Sequence, residues 1–458
     1  MTEQTSEKTD RQSLKTIYRR TILSSFGGGM INPFIHIYAA QMGASPIEMG
    51  WIRAVNTISA NIAQIPWGLS IDWLKRRALF IFLGGLLYAF LLLPLLYIDN
   101  VSEFLLVISL SSIFTAMISP ALNSLIGDLC EEGNRGRVYA QLSAMASIGS
   151  IPATTISGYI LYRTSGTVKE MYRMPVILGF LFSLMAAFTI LKIKEKPLMG
   201  ETFTFKGWTR ALKTNPYFRR LCILSSAQGF FMATAWPLFT LTIVNVVKAD
   251  MFQISLLSVI SSLTAIMVRR FTGRLVDRAG RKLLLLIGRG GLFLVPLIYA
   301  FATSVYELIV VDFIIGILMA SSDVALSAYL LDVSPKGLRG SYMGLYNALS
   351  GLFSFAGSIM GGYLMSFLIS LGFGFQESMF LVYMLSTAGR LIGGVLYVTL
   401  EEPYRYPAKF REEMERIVKE EVERIKEELE TIEEMAERFK KIEDEDLEWF
   451  EKISSNRP

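Results

Sequence analysis

Apolar residues in this chain are gathered into long runs, and polar residues are gathered between those runs. The segment 78–98, ALFIFLGGLLYAFLLLPLLYI, holds no acid or base, and 176–191 is equally free of charge. A membrane hydrocarbon core about 30 Å thick needs about 20 such residues in one helix. Because the backbone finds no water at that depth, each run should be helical. The pattern predicts twelve membrane-spanning helices, over residues 18–41, 46–67, 78–98, 102–128, 137–162, 172–192, 218–246, 251–271, 283–303, 306–332, 341–370 and 377–400.

The second half of the sequence repeats landmarks of the first at a nearly fixed interval. Gly68 and Asp72 recur 205 residues later as Gly273 and Asp277. Because each half contains six spans, both halves should have the same orientation in the membrane. The sequence therefore predicts an all-α integral membrane protein made of two six-helix bundles related as parallel repeats. Further landmarks recur at an interval of 204, namely Asp128 with Arg135 and Gly136, Gly158 with Tyr159, and Pro33.

Composition supports a membrane protein, and the charges orient it. Only 19% of the 458 residues are charged and 52% are hydrophobic, too little charge to cover a soluble protein of this size. Basic residues flank alternate connections, such as Arg19 and Arg20 before the first span, so we expect both termini in the cytoplasm. The predicted parts are a cytoplasmic N-terminal segment 1–17, an N-terminal bundle 18–192, a central cytoplasmic loop 193–217, a C-terminal bundle 218–400 and a cytoplasmic helical tail 401–458.

The loop that follows the second and the eighth span resembles a marker of the major facilitator superfamily, Gly-x-x-x-Asp-(Arg/Lys)-x-Gly-(Arg/Lys)-(Arg/Lys). In the first copy, Trp73 replaces a basic residue and Lys75 replaces the second glycine. The resemblance covers about residues 18–400 and implies a transporter that alternates between two conformations. The matching residues are Gly68, Asp72, Arg76 and Arg77 in the first copy and Gly273, Asp277, Arg278, Gly280, Arg281 and Lys282 in the second.

We expect both copies to form a gate at the cytoplasmic mouth. A glycine lets two helices approach closely, and an aspartate accepts hydrogen bonds from the positive end of a neighbouring helix. The bases then pair with acids when the mouth is shut, which biases a two-state equilibrium. The alternative for the bases is that they fix topology alone.

An ionisable residue inside a span is costly and indicates a functional site. Asp323 lies nine residues before Asp332, about 14 Å along the tenth span and near the membrane midplane. The resemblance implies that the first, fourth, seventh and tenth spans line a central cavity, so Asp323 is a candidate proton carrier. A structural pair with Arg390 is the alternative. The other candidate cavity residues are His36, the one histidine in the sequence, and Asn32, Asn123, Gln228, Trp236 and Thr240.

We interpret the chain as a proton-coupled secondary active transporter, a multidrug or metabolite exporter, in the cytoplasmic membrane. The sequence contains no G-x-x-x-x-G-K-[ST] segment, so ATP should not power transport directly. The arginine and glutamine of the family's proton antiporters are absent around 111–121, which disfavours drug export. We expect small-molecule, proton and lipid partners, with no nucleic acid, cofactor, metal or catalytic residues. An intramembrane enzyme is disfavoured because the acids are dispersed. A receptor or scaffold that does not transport remains the alternative.

The last 58 residues differ from the rest in composition. They contain 20 acidic and 12 basic residues, a balance of −8, which masks a balance of +13 in the remaining chain. Their apolar residues follow a heptad spacing typical of a helix that packs on a partner. The tail is predicted to self-associate or to bind the bundle. The stripe consists of Val418, Val422, Ile425, Leu429, Ile432, Ala436 and Phe439.

Overall fold

The computed structural model describes residues 2–74, 76–129, 135–193, 211–335 and 339–401. Nearly all of these residues are helical, as the runs of apolar residues predict. Contacts group Met1–Pro403 into one unit. The predicted tail 402–458, with its heptad stripe, and the stretch 194–210 of the predicted central loop lie outside the described residues.

Twelve helical spans are arranged as two sets of six, which confirms the predicted fold class. The first six are Thr2–Ile31 with Ile35–Gln41, Pro46–Ile58 with Gln64–Leu74, Arg77–Leu92, Val101–Thr115 with Ile118–Leu129, Arg135–Arg163 and Val168–Thr189. The second six are Pro216–Leu241, Met251–Ala279, Arg281–Gly290 with Leu294–Phe301, Val305–Val333, Arg339–Ser370 and Phe375–Leu396. We number these spans in chain order. The first helix begins at Thr2, well before residue 18, because no proline or glycine interrupts the polar residues that precede the apolar run.

Ten spans of the described chain are long and apolar enough to cross a membrane by themselves. The first and second spans are not among those ten. The first is interrupted after Ile31, the second changes to a π-helix at Ser59–Ala63, and both carry charged or titratable residues, including Arg20, His36 and Arg53. Such residues are tolerated when they face protein or a cavity rather than lipid. The two spans pack within the bundle, the first against the fifth and sixth and the second against the eleventh.

Local sequence sets the ends and the breaks of the helices. Ser45, Thr167 and Asp250 begin the second, sixth and eighth spans with capping boxes, in which side chains satisfy free backbone N–H groups. Pro33 interrupts the first span, and Pro120 follows a break in the fourth span at 116–117, because proline cannot donate a backbone hydrogen bond. Short π-helical segments also lie in the second and seventh spans, at Ser59–Ala63 and Thr242–Val246.

The two halves pack alike, as parallel repeats require. The first span packs against the fifth and sixth, and the seventh packs in the same way against the eleventh and twelfth. Between the halves, the second span packs against the eleventh, and the fifth packs against the eighth. These two interfaces are equivalent under the repeat, because the second and fifth spans correspond to the eighth and eleventh.

The described contacts between the halves include a tight group at the end remote from the termini. A Cβ on Gly50 would lie 2.9 Å from the carbonyl oxygen of Ser358, and a Cβ on Gly362 would lie 2.4 Å from that of Pro46. Pro46 is the first residue of the second span, so this contact lies at the remote end. At the terminal end, a Cβ on Gly68 would face open space. The remote end is therefore closed in this conformation.

Candidate substrate cavity and charged sites

A cavity of about 490 Å³ lies among the first, second, third, fourth and sixth spans, within the N-terminal half. We call it the N-half cavity. Its walls combine apolar side chains with hydroxyl and amide groups, and they contain no acidic residue among the described lining residues. Its polar and charged lining residues are Arg20, Ser24, Asn32, Asn56, Tyr88, Ser111, Ser112, Thr115, Ser119, Asn123 and Ser183.

The two asparagines predicted for the central cavity both line this one. The Tyr88 hydroxyl donates to Oδ1 of Asn32 at 3.3 Å, and the Tyr139 hydroxyl donates to Oδ1 of Asn123 at 3.1 Å. Each amide oxygen is thus already an acceptor, and the remaining group of each amide is its NH₂ donor. The hydroxyl of Ser112 likewise donates to Oδ1 of Asn56. The amides therefore present N–H donors to the cavity, whereas hydroxyls such as those of Ser111 and Thr115 donate to backbone carbonyls and keep acceptor oxygens.

A second opening joins the two halves. A cleft of about 340 Å³ lies among the first, fifth and eighth spans, and we call it the interhalf cleft. It shares Ser24, Gly28 and Asn32 with the N-half cavity. Ser258 and Ser262 of the eighth span face it from the C-terminal half. A small molecule in the cavity would therefore lie close to both halves.

Asp323 lies among basic residues in the C-terminal half. Its carboxylate is 3.9 Å from Nη2 of Arg269 in the eighth span, and it is within electrostatic range of Arg289 in the ninth. Both Asp323 and Arg269 keep nearly half of their side chains exposed, at 47% and 46%. A structural pair with Arg390 was the alternative to a proton carrier, but Arg390 donates to neutral oxygens and is not paired with Asp323. A half-exposed carboxylate beside two arginines can exchange a proton and change its attraction to them.

His36 and Thr240 contribute to a second polar group, which crosses between the halves. Nη2 of Arg53 in the second span donates to the Thr240 hydroxyl of the seventh span at 3.3 Å. His36 is half-buried, and its Nδ1 has no hydrogen-bond partner within the described chain. Arg53 is also within electrostatic range of His36 and Tyr299. This group ties the N-terminal half to the C-terminal half.

Gln228 and Trp236 pack within the protein, and neither is among the residues that line the cavities described above. Gln228 is fully buried, and its amide donates to the Arg289 carbonyl at 2.7 Å. Trp236 is half-buried against the largest apolar cluster of the bundle. Both residues are on the seventh span, but the structure does not bring them to the N-half cavity with Asn32 and Asn123.

A comparison with models of protein families identifies the family to which the chain belongs. The model of the Major Facilitator Superfamily matches twice, over residues 21–236 and 221–443. The chain belongs to the Major Facilitator Superfamily. The two matches correspond to the two six-span halves, and the family consists of transporters rather than enzymes.

Relatives and solved structures with the same fold are distant in sequence. An uncharacterised MFS-type transporter of Methanocaldococcus jannaschii is 24% identical, covering 76% of this chain and 90% of the relative. A multi-drug resistance efflux pump of Streptococcus pneumoniae is 20% identical, covering 77% and 88%. The crystal structure of the nucleoside transporter NupG has a TM-score of 0.67 at 13% identity, covering 84% of this chain and all of that one. An inward-facing, occupied bacterial homologue of the human lysosomal transporter Spinster has a TM-score of 0.64 at 13% identity, covering 87% and 98%.

The loop marker of the superfamily is partly described. Gly280 separates the eighth and ninth spans with a φ of +93°, a conformation that favours glycine. Arg281 then pairs with Asp332 at the end of the tenth span, at 2.8 Å. In the first copy, Arg76 is exposed, whereas Arg77 is buried. Lys282 is half-buried. The side chains of Asp72, Gly273, Asp277 and Arg278 lie outside the described residues.

The sequence interpretation missed several residues that line the N-half cavity. Arg20 was assigned to topology alone, and Tyr88 and Ser183 were not singled out. One signal was available, because Arg20, Ser24, Gly28 and Asn32 follow steps of four along the first span and therefore share a face. All four line the cavity. The cross-half contact of Arg53 had no such signal, because it depends on how the halves meet.

Proposed function

We propose that this chain is a secondary active transporter that moves a small molecule across the cytoplasmic membrane by alternating access. The observation that carries the proposal is the N-half cavity, which is lined by polar groups, is about 490 Å³ in volume and shares Ser24, Gly28 and Asn32 with a cleft between the halves. Ligand sites of small molecules have volumes of about 300–1,000 Å³. In transporters built from repeats, such sites lie near the midplane, where the repeats meet.

Alternation needs a contact that one conformation makes and the other breaks. Such contacts are present at the end remote from the termini. They join Gly50 to Ser358, Gly362 to Pro46 and Arg53 to Thr240. Because basic residues flank the connections on the terminal side, we assign that side to the cytoplasm. The conformation described is then open inward and closed outward.

We further propose that proton movement through Asp323 drives transport. The carboxylate lies 3.9 Å from Nη2 of Arg269, and nearly half of its surface is not covered by the described protein. When Asp323 takes up a proton, its attraction to Arg269 and Arg289 weakens, and the eighth, ninth and tenth spans can shift relative to one another. The eighth span also packs against the N-terminal half, so a shift of this span would act on the interface between the halves.

The test is transport by the purified full-length protein in liposomes with an imposed pH gradient. We expect saturable uptake of a substrate that protein-free liposomes do not show, with faster uptake in one direction of the gradient. A thermal-shift screen against metabolites and drugs would supply the substrate, because a bound ligand raises apparent stability. Ligand binding without flux in any gradient would contradict transport and favour a receptor or scaffold.

A further inference from the structure

Arg20 is buried but lacks a described partner. It is 5% exposed, whereas its neighbour Arg19 is exposed. Its Nε is enclosed and has no hydrogen-bond partner, and the described chain provides its guanidinium with neither a hydrogen bond nor an ion pair. Arg390, which is also buried, donates to Ser386, Leu292 and Met232. Arg20 therefore differs from a structural arginine.

An unpaired buried charge is costly, so buried charges are normally paired or hydrogen-bonded. A topology anchor would avoid that cost by extending its charge to the interface, as long basic side chains do at helix ends. Arg19 is exposed as an anchor would be, and Arg20 is not. No described carboxylate neutralises Arg20, so a molecule that enters the cavity can supply its counter-charge.

The cavity around Arg20 favours a negative group. Of its described lining residues, Arg20 alone is charged, so none of them offers a carboxylate to the guanidinium. Ser183 lines the same cavity, and its buried hydroxyl also has no hydrogen-bond partner in the described chain. Arginine binds carboxylate and phosphate oxygens through two parallel N–H bonds, and a hydroxyl adds a further donor.

We propose that the N-half cavity binds the anionic group of a small amphiphilic molecule, with Arg20 as its counter-charge. Ile31, Leu92 and Ile108 line the same cavity and contact the apolar part of that molecule. The inference rests on the proposed function, since the molecule would be the transported substrate. It assigns organic carboxylates or phosphate esters as the substrate class.

The binding test uses probes that share a ring and differ in charge. Benzoate and phenyl phosphate carry the anion, benzyl alcohol is neutral and benzylammonium is cationic. We expect the two anions to raise the thermal midpoint of the full-length protein in detergent, and the other two to leave it unchanged. Arg20→Gln should weaken anion binding about tenfold or more, as expected when a charge-assisted hydrogen bond is lost.

Arg19→Gln is the matched control, because it removes the same charge from the adjacent, exposed position. It should leave anion affinity unchanged. Without ligand, Arg20→Gln should unfold at the same or a higher temperature, since it removes an unpaired buried charge. Arg20→Lys should fold and keep weak anion binding, because it keeps the charge but loses the bidentate geometry.

Three results would overturn the proposal. One is the absence of any midpoint shift with benzoate and phenyl phosphate, another is equal binding of benzoate and benzyl alcohol, and the third is unchanged anion binding by Arg20→Gln. A lipid phosphate has the same chemistry, so the protein is also reconstituted in phosphatidylcholine with and without phosphatidic acid. Binding of phosphatidic acid through Arg20, without binding of the soluble anions, overturns the substrate assignment.

A flux measurement distinguishes the proposed anion site from the proposed transport function. Arg20-dependent anion binding without flux supports the anion site and contradicts transport. Saturable flux of a cation or a neutral molecule that Arg20→Gln leaves unchanged supports transport and overturns the anion site.

Discussion

At the scale of single residues, charge within the membrane is handled in two ways. Arg390 is 2% exposed, and its guanidinium donates to two backbone carbonyls and the Ser386 hydroxyl at 2.9–3.1 Å. It also lies over the ring of Phe239, at 5.7 Å from the centroid. These contacts satisfy the charge and hold the seventh, ninth and twelfth spans together. Arg20 and Asp323 are not satisfied in that way, which is why we place them in binding and coupling.

We expect Asp323→Asn to abolish proton-driven uptake while the folded yield stays intact. Asparagine keeps the size of the side chain but cannot take up a proton at neutral pH, and the side chain is half-exposed, so packing changes little. Flux into liposomes with and without a pH gradient measures the effect. Asp99→Asn is the control, because it makes the same change at an exposed residue that pairs with Lys169. Unchanged gradient-driven flux in Asp323→Asn would remove this residue from the mechanism.

At the scale of helices, small residues bring the spans of each half together. A Cβ on Gly357 would lie 2.1 Å from the carbonyl oxygen of Phe230, and one on Gly361 would lie 2.0 Å from that of Thr234. The eleventh span thus uses a Gly-x-x-x-Gly pattern to approach the seventh. At the equivalent place in the first half, Ser157 donates to the carbonyl of Met30 at 2.6 Å. The repeat therefore preserves close approach with different small residues.

We expect Gly357→Ala to lower the thermal midpoint of the protein. The added methyl group would overlap a backbone oxygen that cannot move without shifting a helix, and overpacking of this kind costs about 1–3 kcal/mol. Gly290→Ala is the matched control, since it is also helical but a Cβ there meets nothing within 4 Å. Thermal unfolding in detergent measures both variants. Equal midpoints for Gly357→Ala and the wild type would contradict the close approach of these two spans.

At the scale of the whole molecule, the two halves meet at the end remote from the termini. The Arg53–Thr240 hydrogen bond joins the second and seventh spans there, at 3.3 Å, across the boundary between the halves. Removing it should shift the population of conformations toward one that opens at that end, because the closed contact loses one of its bonds.

Spin-label distances in the Thr240→Val variant test that shift. Labels at Asp99 and Gln376 report the remote end, and labels at Lys15 and Lys213 report the terminal end. We expect longer distances at the remote end and shorter ones at the terminal end. Thr164→Val is the control, because its hydroxyl donates to Ile160 within the same helix. Superimposable distance distributions for Thr240→Val and the wild type would show that the bond does not favour the closed contact.

The sequence by itself determined the twelve spans, the two parallel halves and the superfamily. Hydropathy, the internal repeat and the loop marker are local properties, and the bilayer forces each apolar run to become a helix. The resemblance also placed Asn32 and Asn123 on cavity-lining spans, but it placed Gln228, Trp236 and Thr240 there as well, and these three do not line the N-half cavity.

Only the tertiary structure decided which charged side chains are buried and which are paired. Arg19 and Arg20 are identical neighbours in the sequence, yet one is exposed and the other is enclosed at the cavity. The sequence left a pair of Arg390 with Asp323 open as an alternative, but Arg390 is held by carbonyl groups of other spans. Burial and pairing depend on helices that are far apart in the chain, so no run or spacing within one span records them.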